Sequence, residues 1–151
     1  MAIETIEMIT FFFNNRGEIL TKREGILNSV DLSDEDLRGL QLSSLTMQGA
    51  RFDGANLTNA CVANCDLYWS SFADANCSDA YFLNCVLVGA IFRGSNLDGT
   101  TFENCRFFGP DGTNGPDFDN TALERCKLIQ CDLTMPNGNR QEMNWKRPKN
   151  C

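Results

Sequence analysis

Eight cysteines and no histidine bound the chemistry open to this chain of 151 residues. Cys65, Cys85 and Cys105 recur at intervals of twenty, and Cys126 follows at twenty-one. Four thiols stacked by such a spacing suggest a metal site or a redox ladder. Zinc, however, needs ligands that converge tetrahedrally, whereas equivalent positions of stacked units project their side chains in parallel. Disulfides between stacked neighbours are within reach but poorly directed. The balance favours cysteine as a small core residue alternating with alanine and serine, and Cys77 and Cys131 read the same way. Cys61 is expected to point outward and Cys151 is the last residue. Unpaired exposed thiols of this kind fit a reducing compartment, the cytoplasm.

A second cluster, Asp111, Asn114, Asp117 and Asp119, offers oxygen ligands for calcium. Its spacing does not match the twelve-residue calcium loop, which ends in a bidentate glutamate. Asp, Asn, Gly and Pro are also what a tight turn selects, and the turn is the favoured reading. Without histidine the commonest general base and the commonest nitrogen ligand are missing. No pair of acids stands in a recognisable catalytic setting. The expectation is a protein with no catalytic residues, no metal and no cofactor.

The elements that must position these residues follow from one period. Every fifth residue from Leu32 to Phe107 is apolar, sixteen times without a miss, and the residue two before each is mostly Ala, Cys, Ser or Thr. Neither the helical period of about 3.6 residues nor the strand period of two gives a strict five. A repeat this short cannot bury its apolar side alone and must stack on its neighbours.

Units such as Ala50-Arg51-Phe52-Asp53-Gly54, Ala55-Asn56-Leu57-Thr58-Asn59 and Ser95-Asn96-Leu97-Asp98-Gly99 closely resemble the pentapeptide-repeat family. The resemblance implies an all-β fold, a right-handed quadrilateral parallel β-helix. In it five residues make one side and about twenty make one turn. Residues 30–135 form the solenoid, with an irregular loop at 109–116. Residues 1–29 are a capping segment, either a hairpin or a short helix followed by a strand, and 136–151 are a C-terminal tail. The segment Leu133-Thr134-Met135-Pro136-Asn137-Gly138 resembles the close of cyanobacterial and plastid members. After the Gly- and Pro-rich loop the period resumes at Phe118, Leu123, Leu128 and Leu133, one residue out of step. One inserted residue is the economical account. It gives about five turns and a rod core of ~24 Å at the usual strand spacing.

The net charge of −7 is uneven. Residues 30–135 carry −9 and the tail +3. An acidic body repels nucleic acid. No stretch approaches the length of a membrane span. The N-terminus lacks the basic start of a secretory signal.

The outward positions are mostly polar, with one exception. Tyr68, Val88, Phe108 and Ile129 each follow an apolar centre and are expected to stack on one side. Trp69 and Val86 lie beside them, and Tyr81, Leu83 and Ile91 extend the apolar surface onto adjoining sides. Exposed patches of this size mark contact sites. Two occupants stay open: a partner (another protein or a second copy in a homodimer), or a cover from Phe11, Phe12 and Phe13 or from Trp145. The functional expectation is a non-catalytic interaction or scaffold module. The resemblance supplies an alternative, since some members mimic DNA and act on gyrase as acidic dimeric rods. The acids for that role are Asp36, Asp98, Asp117 and Asp119, expected on one face.

Overall fold

The computed structural model describes residues 9–110, 112, 114–122 and 124–131. Seven strands make one sheet in the order β2-β1-β3-β4-β5-β6-β7. The two N-terminal strands are β1 (Ile9–Asn14) and β2 (Ile19–Glu24). The rest are β3 (Leu40–Ser43), β4 (Cys61–Ala63), β5 (Tyr81–Leu83), β6 (Thr101–Glu103) and β7 (Lys127–Ile129). No helix occurs among the described residues. From β3 to β7 every pairing is parallel: Leu42, Val62, Phe82, Phe102 and Leu128 stand one above another.

Single parallel bridges continue the stacking around the coil, through Asp31, Arg51, Ser71, Ile91 and Asp117 and through Asp36, Asn56, Asn76 and Asn96. The result is a parallel β-solenoid with four walls. The first wall holds residues 31–35, 51–55, 71–75, 91–95 and 117–121. The second begins at 36, 56, 76, 96 and 122, and the third is the wall of strands. The fourth begins at 46, 66, 86 and 106.

All sixteen residues of the five-period are buried, none above 4% exposed. A core only one side chain deep then favours flat rings, which stack at the coil's own rise. Phe52 and Phe72 lie 4.9 Å apart with planes 3° from parallel. Phe72 and Phe92 repeat that geometry, and Phe118 continues it above Phe92 at 5.2 Å. Phe72 meets Phe82 of the opposite wall edge to face at 5.8 Å, across the core.

Corners are sharp because the last residue of each five-residue unit takes positive φ, from Ser29 through Asn104. Asn, Asp and Gly tolerate that region best, which is why they recur there. Inside four of the corners, at Ser70, Cys85, Thr100 and Cys105, a small polar side chain donates to a core carbonyl of the coil below. Thr100 Oγ1 donates to Cys77 O at 2.7 Å, and the Cys85 thiol donates to Val62 O at 3.3 Å, each across twenty-three residues.

The N-terminal segment is the hairpin of the two expected forms. Asn14 holds its turn, accepting from the backbone N–H of Arg16 and Glu18 on Oδ1. Strand β1 pairs antiparallel with β3 through Phe13 and Gln41, so the lower edge of the strand wall is not left open. Phe12 enters the core at 1% exposed. Arg23 ties the hairpin to the first coil, donating to Asp31 O at 3.0 Å and Glu35 Oε1 at 2.5 Å.

The excursion after Phe108 is larger than one residue. Ile91 bridges Ser71 twenty residues before it but Asp117 twenty-six after it, so six residues are inserted. A period of five cannot separate an insertion of one from an insertion of six. The difference is one whole wall, and everything beyond the loop sits one wall back from its expected place.

Candidate interaction surfaces

The fourth wall carries the aromatic corner expected from the sequence, in reduced form. Trp69 is 50% exposed, and Tyr68 and Val86 are half-buried. Tyr68 and Trp69 meet edge to face, with centroids 5.8 Å apart. Val88 and Phe108 are not part of an exposed stripe: they are 1% and 6% exposed. By register Val88 is flanked by the rings of Tyr68 below and Phe108 above, and Phe108 joins the core cluster. Ile129 is exposed but belongs to the third wall, above Glu103 and not above Phe108. Tyr81 and Leu83 also lie on the third wall, as half-buried outward residues of β5. Phe11 and Phe13 do not cover the corner; they are themselves exposed, 44% and 41%, on the hairpin. Trp145 lies outside the described residues.

Trp69 occupies a corner with φ 57°, where its neighbours one coil below and above are Gly49 and Gly89. The indole lies so close over Gly89 that a β-carbon there would sit 2.7 Å from Cε3. A bulky residue at positive φ is rare. The sequence signal was available: Trp69 stands where other units place Asn, Asp, Gly or Ser.

The acidic residues do not make one negative face. Asp36 and Asp98 lie on the second wall, while Asp117 and Asp119 lie on the first, displaced by the loop. Three of the four hold an arginine. Arg38 donates to both Asp36 oxygens, Arg125 donates to both Asp98 oxygens at 2.8 and 2.6 Å, and Arg93 meets Asp117 at 2.6 Å. These hydrogen bonds hold the Asp36 and Asp98 carboxyls below the usual aspartate value. Asp119 donates its backbone N–H to Asp117 Oδ1, a turn contact. Of the other two members of the calcium reading, Asn114 sits in the loop at a φ of 59°, and Asp111 lies outside the described residues.

Cys65, Cys85 and Cys105 form the expected inward column, 1–2% exposed. Cys126 is buried but stands above Thr100 at the next corner, its Lys127 neighbour bonding Thr100 O. Cys131 takes the place above Cys105, donating to Phe102 O at 3.3 Å. Burial pushes the Cys77 thiol up to about 12. Cys61 is half-buried on the outer side of β4. Cys61, Cys65, Cys77, Cys85, Cys105 and Cys131 are free thiols, and no group of three or more ligating side chains converges among the described residues.

A profile of the pentapeptide repeats matches residues 36–72 and 70–108, in eight copies. The chain is a pentapeptide-repeat protein. Among solved structures it is similar to the pentapeptide-repeat protein Rfr23 from the cyanobacterium Cyanothece 51142. That similarity has a TM-score of 0.56 at 19% identity, over 63% of this chain and 60% of the other. It is also similar to QnrB1 (R167E, trypsin treated), a plasmid-mediated fluoroquinolone resistance protein. There the TM-score is 0.63 at 24% identity, over 72% of this chain and 53% of the other. The chain thus spans little more than half the length of either protein, and at these identities the likeness is one of fold. No curated protein matches the sequence.

The repeat fills its own interior. A cavity of about 460 Å³ lies outside the coil, between the hairpin turn and the second wall. Asn14, Asn15, Arg16, Glu18, Asp36 and Arg38 line it. Its charges are largely spent internally, Arg38 on Asp36 and Glu18 on Asn14. Among the described residues, this pentapeptide-repeat protein presents a strand wall, an aromatic corner and paired charges on its surface. No described helix is long and apolar enough to cross a membrane.

Proposed function

We propose that this pentapeptide-repeat protein is a non-catalytic interaction module whose contact with a partner protein centres on the corner of Tyr68, Trp69 and Val86. The observation that carries this reading is the placement of Trp69, half-exposed at a positive-φ corner between two glycines. Strained, exposed aromatic residues persist where surrounding structure holds them for a use, and Trp and Tyr dominate the centres of protein interfaces. Arg106 and Asp66 rim the corner on the same wall, giving it the polar edge of a contact site. The DNA-mimicking alternative has less support, because Asp36, Asp98 and Asp117 spend their charge on arginines.

The test is affinity capture with wild-type protein beside Trp69→Ala and Tyr68→Asp variants of unchanged far-UV spectrum. A partner retained by the wild type and lost from both variants supports the corner as its site. Equal retention by all three overturns it. A supercoiling assay with purified gyrase addresses the alternative; inhibition at micromolar protein would favour DNA mimicry instead.

A further inference from the structure

The outer surface of the strand wall is unlike the rest of the molecule. Strands β1, β3, β4 and β5 contain no acidic or basic residue, on a chain of net charge −7. Their outward side chains, in order along the wall, are Phe11 and Phe13, then Gln41 and Ser43, then Cys61 and Ala63, then Tyr81 and Leu83. Two apolar blocks, on β1 and β5, thus stand three strands apart, separated mainly by smaller uncharged residues. Charge returns only beyond them. Lys22 and Glu24 are exposed on β2, Lys22 facing outward opposite Phe11, and Glu103 stands on β6.

We propose that two copies of this chain pack face to face through this wall, about a two-fold axis between β3 and β4. An isologous contact requires that each patch meet its counterpart twice, and this order of residues does so. The axis lays Phe11 and Phe13 of one copy over Tyr81 and Leu83 of the other, and the reverse. It sets β3 over β4, where small side chains allow the sheets to approach. It carries β2 over β6, so that Lys22 of each copy approaches Glu103 of the other at the rim. Elsewhere the acidic body repels a second copy; here nothing does. The overlap of six strands at ~4.8 Å spacing is smaller than the ~800 Å² per partner of a standard interface, so association belongs to the micromolar class. This contact goes beyond the partner reading above and is independent of it, because Tyr68 and Trp69 lie on another wall.

Sedimentation velocity of the full chain under reducing conditions, from about 5 to 500 micromolar, is expected to show a monomer–dimer equilibrium. Phe11→Ser with Phe13→Ser should leave monomer at every concentration with the β spectrum retained, whereas Trp69→Ala should dimerise as the wild type does. Lys22→Glu and Glu103→Lys should each weaken the dimer on the order of tenfold, and the double exchange should restore it. A short bismaleimide should join the two copies through Cys61, on the strand beside the axis, and Cys61→Ser should remove that product. Monomer throughout the range, or a dimer indifferent to the Phe11 and Phe13 changes or to the charge exchange, overturns the proposal.

Discussion

The Cys131 thiol donates to the carbonyl of Phe102, twenty-nine residues back, in the same way that Cys105 donates to Phe82, twenty-three back. The contact is identical and the interval differs by six. This pair fixes the size of the insertion independently of the backbone bridges, which widen from twenty to twenty-six over the same stretch.

Removing residues 111–116 should therefore restore the twenty-residue turn without disturbing the coil. By register this deletion lets Asp117 follow Pro110 as the first residue of the next wall. The variant is expected to keep its far-UV spectrum and a melting temperature within about 5 °C of the parent. Removing a single residue in the same loop should also be tolerated, because the loop takes up the change and the register of the coil beyond Asp117 stays fixed by its pairing. A collapse of the β signal on the six-residue deletion would mean that the loop supports the levels above it.

Gly89 should not accept a side chain. Its φ of 70° is strained for alanine, and a β-carbon would meet the Trp69 ring at 2.7 Å. Gly89→Ala is expected to cost about 1–2 kcal/mol from the backbone alone, with a further loss as the indole is displaced. Tryptophan fluorescence should shift to the red as well. In a Trp69→Ala background the same substitution should cost less, because only the backbone strain remains. Chemical denaturation of the four proteins gives the coupling directly.

Acid should weaken the fold through its aspartates. Hydrogen bonds from Arg38 and Arg125 lower the carboxyls of Asp36 and Asp98, and a bond from Ser33 lowers that of Asp31, all from an ordinary 3.8. A carboxyl depressed in the folded state contributes stability above its unfolded value and loses it as pH falls through the folded value. Stability should be flat near neutrality and decline below about pH 4. Arg125→Gln should remove part of that decline, read as a smaller difference in melting temperature between pH 6 and pH 3. Since these groups are exposed, added salt should shrink the effect.

The core was legible because the period of five is itself the burial pattern. Leu32 through Phe107 alternate in sequence as they do in space, and each is buried. What lay beyond the loop was legible only modulo five. Cys126, Ile129, Asp117 and Asp119 kept their inward or outward sense, yet each was assigned to the wrong wall. Val88 and Phe108 failed for a different reason. Their outward position follows from the repeat, but exposure depends on the size of the side chains stacked above and below, which a one-dimensional pattern does not carry. Phe11 and Phe13 are surface and not a cover for the aromatic corner. The alternation Phe11-Phe12-Phe13 on a hairpin sends only the middle ring inward, and that alternation is visible once the segment is known to be strand.

The six-residue excursion after Pro110 also has a practical side. The wall resumes at Asp117 with its ladder bonds to Ala90 and Phe92 intact, so foreign sequence grafted at that point would be displayed from a stiff frame whose upper levels never register its presence. A longer epitope or affinity peptide would enter by the same doorway.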